Sequence, residues 1–269
     1  MHRFCVLPYV NALPLVHFLP QVDPRAELIY RTPRSAVGTL LEGEVDAAII
    51  PVADFFGHPE LTMVPGLGIC ADGDVTSVLL QCRRPLQQVR VIDLDLESRT
   101  SNALVRVLMR DHFRMPHPIE YGLHAREADA CVCIGDRALR ATETLETYDL
   151  AGEWKKMTGL PFVFAVWAIR QSCPDADGIS QILHQARDRG CGSLNELAGL
   201  SAERLGLPEE RCHEYLSHCL HYDVGLAELA GMNRFRELVA GLSEPTVSRI
   251  MNVNPKSEKG RTIPILPRS

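Results

Sequence analysis

Several familiar signals are missing from this 269-residue chain. No apolar run approaches the roughly 20 residues that a membrane span needs. PFVFAVWAI (161–169) is apolar throughout but too short to cross a bilayer, and its β-rich composition reads as a strand. There is no Walker-type phosphate loop, no G-x-G-x-x-G after the first strand and no G-x-S-x-G elbow, so nucleotide cofactors and a serine-hydrolase mechanism lose support. Basic charge is not in excess either. Lys plus Arg number 28 against 34 Asp plus Glu, for a net charge of −6 and a pI near 5.9. Nucleic acid is therefore not an expected partner, and no basic amphipathic helix suggests a membrane surface. Solenoid-period repeats and low-complexity segments are also missing. The nine cysteines are odd in number and lack a compact framework, which reads as reduced thiols in the cytoplasm. The N-terminus, MHRFCVLPYVNALPLVHFLP, superficially imitates a signal peptide, but its three prolines and missing A-x-A-like site count against one.

What is present is ordinary globular sequence, 46% apolar and 23% charged, long enough for two lobes. A strand at 3–8, a helix at 11–19, a strand at 27–31, a helix at 33–44 and a strand at 46–51 give βαβαβ, hence a parallel sheet. Residues 66–84 read as antiparallel strands leading out of the first lobe. A second series follows, with strands at 89–95, 119–122 and 129–135, a helix at 100–113 and a short helix near 136–141. The strand at 161–169 returns the chain to the first lobe. From 173 onward the pattern is helical, and the tail 252–269 is expected to be partly disordered. The expected fold class is α/β, with lobe 1 formed by 1–86 and 173–269, lobe 2 by 87–172, and a ligand cleft between them.

The candidate site residues cluster where strands hand over to helices. Asn11, in LPYVNALPL (7–15), either caps the helix that follows or reaches a ligand at the carboxyl end of the first strand. Ser98, Thr100 and Ser101 form either a redundant N-cap or a cradle for a carboxylate or phosphate, and Arg99 among them pairs with that anion or stands solvated. Thr76 and Ser77 lie at the mouth of a strand, where one hydroxyl can face the cleft or either can equally stand on an exposed strand face. Gly135 permits close backbone approach, and Asp136 is a helix cap or an acid in the cleft. Cys212, His213, His218, Cys219 and His221 imitate a zinc cluster, but Cys212, Leu216 and Cys219 recur at the spacing of a buried helix stripe, so no metal is expected.

PYVNALPL (8–15), LLEGEVDAAIIPVADF (40–55), GDVTSVLL (73–80), ESRTSNALVRVL (97–108), IGDRAL (134–139) and YDLAGEWKKMTGLPFVFAVWAIR (148–170) run in colinear order. As a set they resemble the chorismate dehydratase family of the futalosine route to menaquinone. The resemblance implies a type II periplasmic-binding-protein-like fold of two α/β lobes, used in the cytoplasm as a carbon–oxygen lyase without cofactor or metal. It also implies conversion of chorismate to 3-[(1-carboxyvinyl)oxy]benzoate with loss of water. Within that reading Asn11, which cannot act as a base, binds substrate and stabilises the transition state. The base is Asp136 or the substrate's own enolpyruvyl carboxylate, the latter being favoured. The alternatives are the sister enzyme that makes 1,4-dihydroxy-6-naphthoate and a non-catalytic solute-binding protein of the same fold.

Overall fold

The computed structural model describes residues 1–123, 127–141 and 146–242. The tail 252–269 lies outside the described residues. The first βα series runs β1 (Arg3–Val6), α1 (Leu13–Val16), α2 (Leu19–Val22), β2 (Glu27–Tyr30), α3 (Pro33–Leu41), β3 (Ala47–Pro51), α4 (Val52–Phe56) and β4 (Leu61–Ala71). The second runs β5 (Val78–Cys82), β6 (Val91–Leu94), α5 (Arg99–Val107), β7 (Glu120–Leu123), β8 (Ala130–Ile134), α6 (Gly135–Leu139), β9 (Glu146–Asp149) and α7 (Leu150–Thr158). The described residues close with β10 (Phe162–Arg170), α8 (Ala176–Cys191), α9 (Leu194–Leu205), α10 (Glu209–Glu214), β11 (His221–Val224) and α11 (Leu226–Ala240).

Two sheets result. One has the order β11-β4-β10-β3-β1-β2 and the other β7-β6-β8-β5-β9. In the first, β1 pairs parallel with β2 and β3, as the βαβαβ pattern predicts. In the second, β6 pairs parallel with β7 and β8. β3 is buried along its whole length, because a parallel strand covered on both faces needs apolar residues throughout.

The structure departs from the sequence reading in several places. β4 and β5 form no hairpin, since each joins a different sheet. β5 thus belongs with the second lobe, so the chain crosses to the second sheet within 72–77 rather than after 86, whereas β10 returns it to the first sheet as expected of 161–169, ahead of the boundary drawn at 172. β10 is drawn into the first sheet by antiparallel pairing with both β3 and β4, and its Trp167 packs edge-on against Phe4 of β1 at 6.0 Å. The helix expected over 11–19 is split into a 3-10 turn (Val10–Ala12), α1 and α2. Pro14 and Pro20 each sit in a first turn, where a missing N–H costs nothing, and each starts a new segment. The helical stretch after 173 is interrupted by β11, whose alternating burial fits the edge of β4. β9, not foreseen, pairs with β5.

The segment that carries Asn11 is seated against α8. A Cβ on Gly190 would lie 2.0 Å from the Pro14 carbonyl oxygen, so only glycine allows α8 to approach α1 this closely. Gly190→Ala is therefore expected to destabilise the protein by about 1–3 kcal/mol through overpacking, although alanine is the better helix former. Chemical denaturation checks this, and an unchanged midpoint would mean that α1 is not held by this contact.

Candidate active site

The cleft lies where the carboxyl ends of parallel strands from both sheets face each other, the position at which open α/β sheets hold ligands. β1 delivers Tyr9 and Asn11, β3 delivers Pro51, β6 leads to Ser98, Thr100 and Ser101, and β8 delivers Ile134 and Gly135. The first crossing between sheets adds Val75, Ser77 and Val78. About 60 Å³ of space is enclosed between these walls, a narrow cleft against the roughly 300–1,000 Å³ usual for small-molecule sites. Among the described residues that line it, none carries a formal charge.

Asn11 does not cap a helix. It sits inside the 3-10 turn, and α1 has Ala12 at its N-cap with no side-chain hydrogen bond. Its Oδ1 is buried and has no hydrogen-bond partner, which costs about 1–3 kcal/mol for a polar atom in this state. Asn11 thus lines the cleft with this acceptor unpaired among the described residues.

The hydroxyl group beyond β6 is mixed in role. Ser98 is the N-cap of α5, its Oγ accepting from the Ser101 amide at 3.1 Å and donating to Ser101 Oγ at 2.8 Å. Thr100 Oγ1 accepts from the Ala53 amide at 3.1 Å, tying the second lobe to α4 of the first. All three hydroxyls are buried and line the cleft. The N-cap residue Ser98 and its neighbours Thr100 and Ser101 are thus also part of the cleft wall. Gly135 adopts φ +60°, and a Cβ there would meet the Tyr9 ring at 3.1 Å. The glycine lets an aromatic wall of one lobe close on the backbone of the other.

Three expected site residues do not line the cleft. Arg99 pairs with Asp54 at 2.9 Å across the lobes. Burial pushes the Asp54 carboxyl up, and the guanidinium pulls it back. Thr76 has φ +61°, and its amide donates to Asp149 at 2.6 Å. Asp136 does not cap α6, whose N-cap Ile134 has no side-chain bond. Its carboxylate accepts from the Val10 amide at 3.1 Å and from Arg204 at 2.8 Å. Both oxygens are engaged in fastening the turn next to Asn11. Arg140 adds to this fastening by donating to the Leu205 carbonyl, at the end of α9, at 3.0 Å. Residues 212–221 form no metal cluster, and among the described residues no three His, Cys, Asp or Glu side chains converge.

Tyr9, Asp149, Arg204 and Tyr215 were not singled out from sequence. Tyr9 stands in the same LPYVNALPL stretch as Asn11, and that proximity was the available signal. The other three act across long sequence separations, which no local pattern records.

The two sheets with a cleft between them form a periplasmic-binding-protein-like α/β fold of two lobes. A solved structure of an Archaeoglobus fulgidus protein superposes with a TM-score of 0.69 at 15% identity, covering 89% of this chain and 96% of that one. The alkanesulfonate-binding protein of Xanthomonas axonopodis pv. citri, solved with MOPS bound, gives 0.61 at 17% identity, covering 89% and 90%. At such identities the likeness is one of fold. A family model described as menaquinone biosynthesis matches residues 3–241, and the chain belongs to that family. A relative from Thermus thermophilus, named chorismate dehydratase, is 32% identical over 251 residues, covering 85% of this chain and 92% of its own. Another of that name, from Campylobacter jejuni, is 27% identical over 241 residues, covering 86% and 95%. No helix among the described residues is long and apolar enough to cross a membrane.

Ser98→Ala is expected to lower stability by about 1 kcal/mol through loss of the N-cap, read as a shift in denaturation midpoint. An unshifted midpoint would mean that the Ser98 cap does not stabilise α5.

Proposed function

We propose that this protein converts chorismate to 3-[(1-carboxyvinyl)oxy]benzoate and water, in the cytoplasm, on the way to menaquinone. The observation that carries the reading is the unpartnered Asn11 Oδ1 inside a cleft of neutral donors. Ionised chorismate offers acceptors at two carboxylates and an ether but only one donor, the C4 hydroxyl. An open amide oxygen suits that hydroxyl, while Ser77, Thr100, Ser101 and the start of α5 suit the carboxylates. The named dehydratase relatives support the same substrate, and the nine free cysteines are in keeping with a reducing compartment.

The reaction is an elimination. The C3 proton is vinylogous to the ring carboxylate. Its C–H electron pair enters the ring as the C4–O bond breaks, and aromatisation drives the step. Among the described residues no charged side chain lines the cleft to take the proton, and the carboxylate of Asp136 is held by Val10 and Arg204. The substrate's enolpyruvyl carboxylate therefore accepts it and passes it to the departing hydroxide, which leaves as water. The Asn11 amide fixes the C4 hydroxyl, and its N–H groups can stabilise the oxygen as charge develops there. Asp136 is a positioning residue for the Asn11 turn.

Purified protein incubated with chorismate, without metal or nucleotide, is expected to yield the carboxyvinyloxybenzoate, followed by chromatography and mass. Asn11→Ala should lower kcat by about 10²–10³. Asp136→Asn should retain kcat within about tenfold, whereas a loss of roughly 10²–10⁴ with the fold intact would make Asp136 the general base. Chorismate that binds but survives would turn the reading toward a solute-binding protein.

A further inference from the structure

Ser77 is the cleft hydroxyl whose backbone is fixed most firmly. The residue before it, Thr76, is held at φ +61° by an Asp149 carboxylate oxygen that accepts from the amides of Val75 at 2.9 Å and Thr76 at 2.6 Å. A β-branched residue enters this region only when its surroundings enforce it. On the other side, the Ser77 carbonyl accepts from the Gly135 amide at 2.7 Å. The main chain is therefore pinned on both sides of Ser77 by the second lobe, through Asp149 at the end of β9 and Gly135 after β8, and the hydroxyl is free only about its own side-chain torsions.

Those torsions are set by Tyr215. Its phenol lies 2.8 Å from Ser77 Oγ, both residues being fully buried. Tyr215 opens a π-helical turn (Tyr215–Cys219) between α10 and β11, and such widened turns recur at functional sites. A phenol is a more acidic hydroxyl than an alkyl alcohol, so the shared proton lies on the tyrosine side and Ser77 accepts. Ser77 then retains one proton of its own, for which the described residues supply no acceptor, and Ser77 lines the cleft.

We propose that Tyr215 is a positioning residue of this site: by donating to Ser77 Oγ it turns the Ser77 proton into the cleft, toward a carboxylate oxygen of the substrate. The inference rests on the reading of the cleft as the chorismate site. It explains how a cleft in which none of the described lining residues is cationic contributes to holding a dianion, since the Ser77 donor has its direction fixed before the ligand arrives and needs no reorganisation on binding. Tyr215 itself touches no ligand.

The test is a double-mutant cycle on kcat/KM for chorismate with Tyr215→Phe, which keeps the ring and removes the hydroxyl, and Ser77→Ala. Tyr215→Phe alone is expected to lower kcat/KM about tenfold, the loss of one directed hydrogen bond. In the Ser77→Ala background the same substitution should cost less than about twofold, because the group it acts through is gone. An equal loss in both backgrounds would overturn the proposal and leave Tyr215 a packing residue. If the native protein does not consume chorismate, the reaction reading fails, and ligand-free crystals of Tyr215→Phe decide the positioning claim. Ser77 spread over more than one rotamer supports it, and Ser77 unchanged in a single rotamer overturns it.

Discussion

The carboxylate of Asp149 is the interaction on which the cleft depends. One of its oxygens caps α7 by accepting from the amides of Ala151 and Gly152, each at 3.0 Å, while the other accepts from Val75 and Thr76 in the crossing between the sheets. Burial pushes this carboxyl up and the amides of Gly152, Thr76 and Val75 pull it back. One side chain thus joins the last helix of the second lobe to the segment that bears Ser77. Without it, a non-glycine residue at φ +61° would relax, and Ser77 would lose its place between the lobes.

Around that fixed crossing the lobes are fastened at points on either side of the cleft. Asp136 joins Val10 to Arg204, Thr100 joins α5 to α4, and Arg99 pairs with Asp54. These bonds take up the charged groups nearest the site. Positive charge that an anionic ligand would otherwise seek is spent between the lobes, and neutral hydroxyls, an amide and the start of α5 face inward. For a chain of net charge −6, short-range donors of this kind are the means by which an anion can be held.

The parallel cores of both sheets were legible in the sequence, because β1, β2, β3, β6 and β8 are apolar runs closed by helix starts or turns. The cleft position followed from them, as did the placement there of Asn11, Ser77, Ser98, Thr100, Ser101 and Gly135. What stayed hidden depends on contacts between distant segments. ETYD (146–149) carries no apolar alternation, and it is a strand because β5 offers it an edge. HYDV (221–224) continues a helical pattern in sequence but finds the edge of β4. Asp136 reads locally as a cap, and its carboxylate is captured by Val10 and Arg204, 126 and 68 residues away. Tyr215 lies beside the Cys212, Leu216, Cys219 stripe and belongs to the core by spacing, while its hydroxyl serves the cleft.

The most direct measurement is a crystal structure of the protein with 3-[(1-carboxyvinyl)oxy]benzoate. The account predicts the product between the two sheets, its ring beside Asn11 and its carboxylates on Ser77 and on the hydroxyls and amides at the start of α5, with Asp136 still joined to Val10 and Arg204. A product lying outside this cleft, or carboxylates taken up by Arg99 or Arg204 after their interlobe pairs have broken, would contradict it.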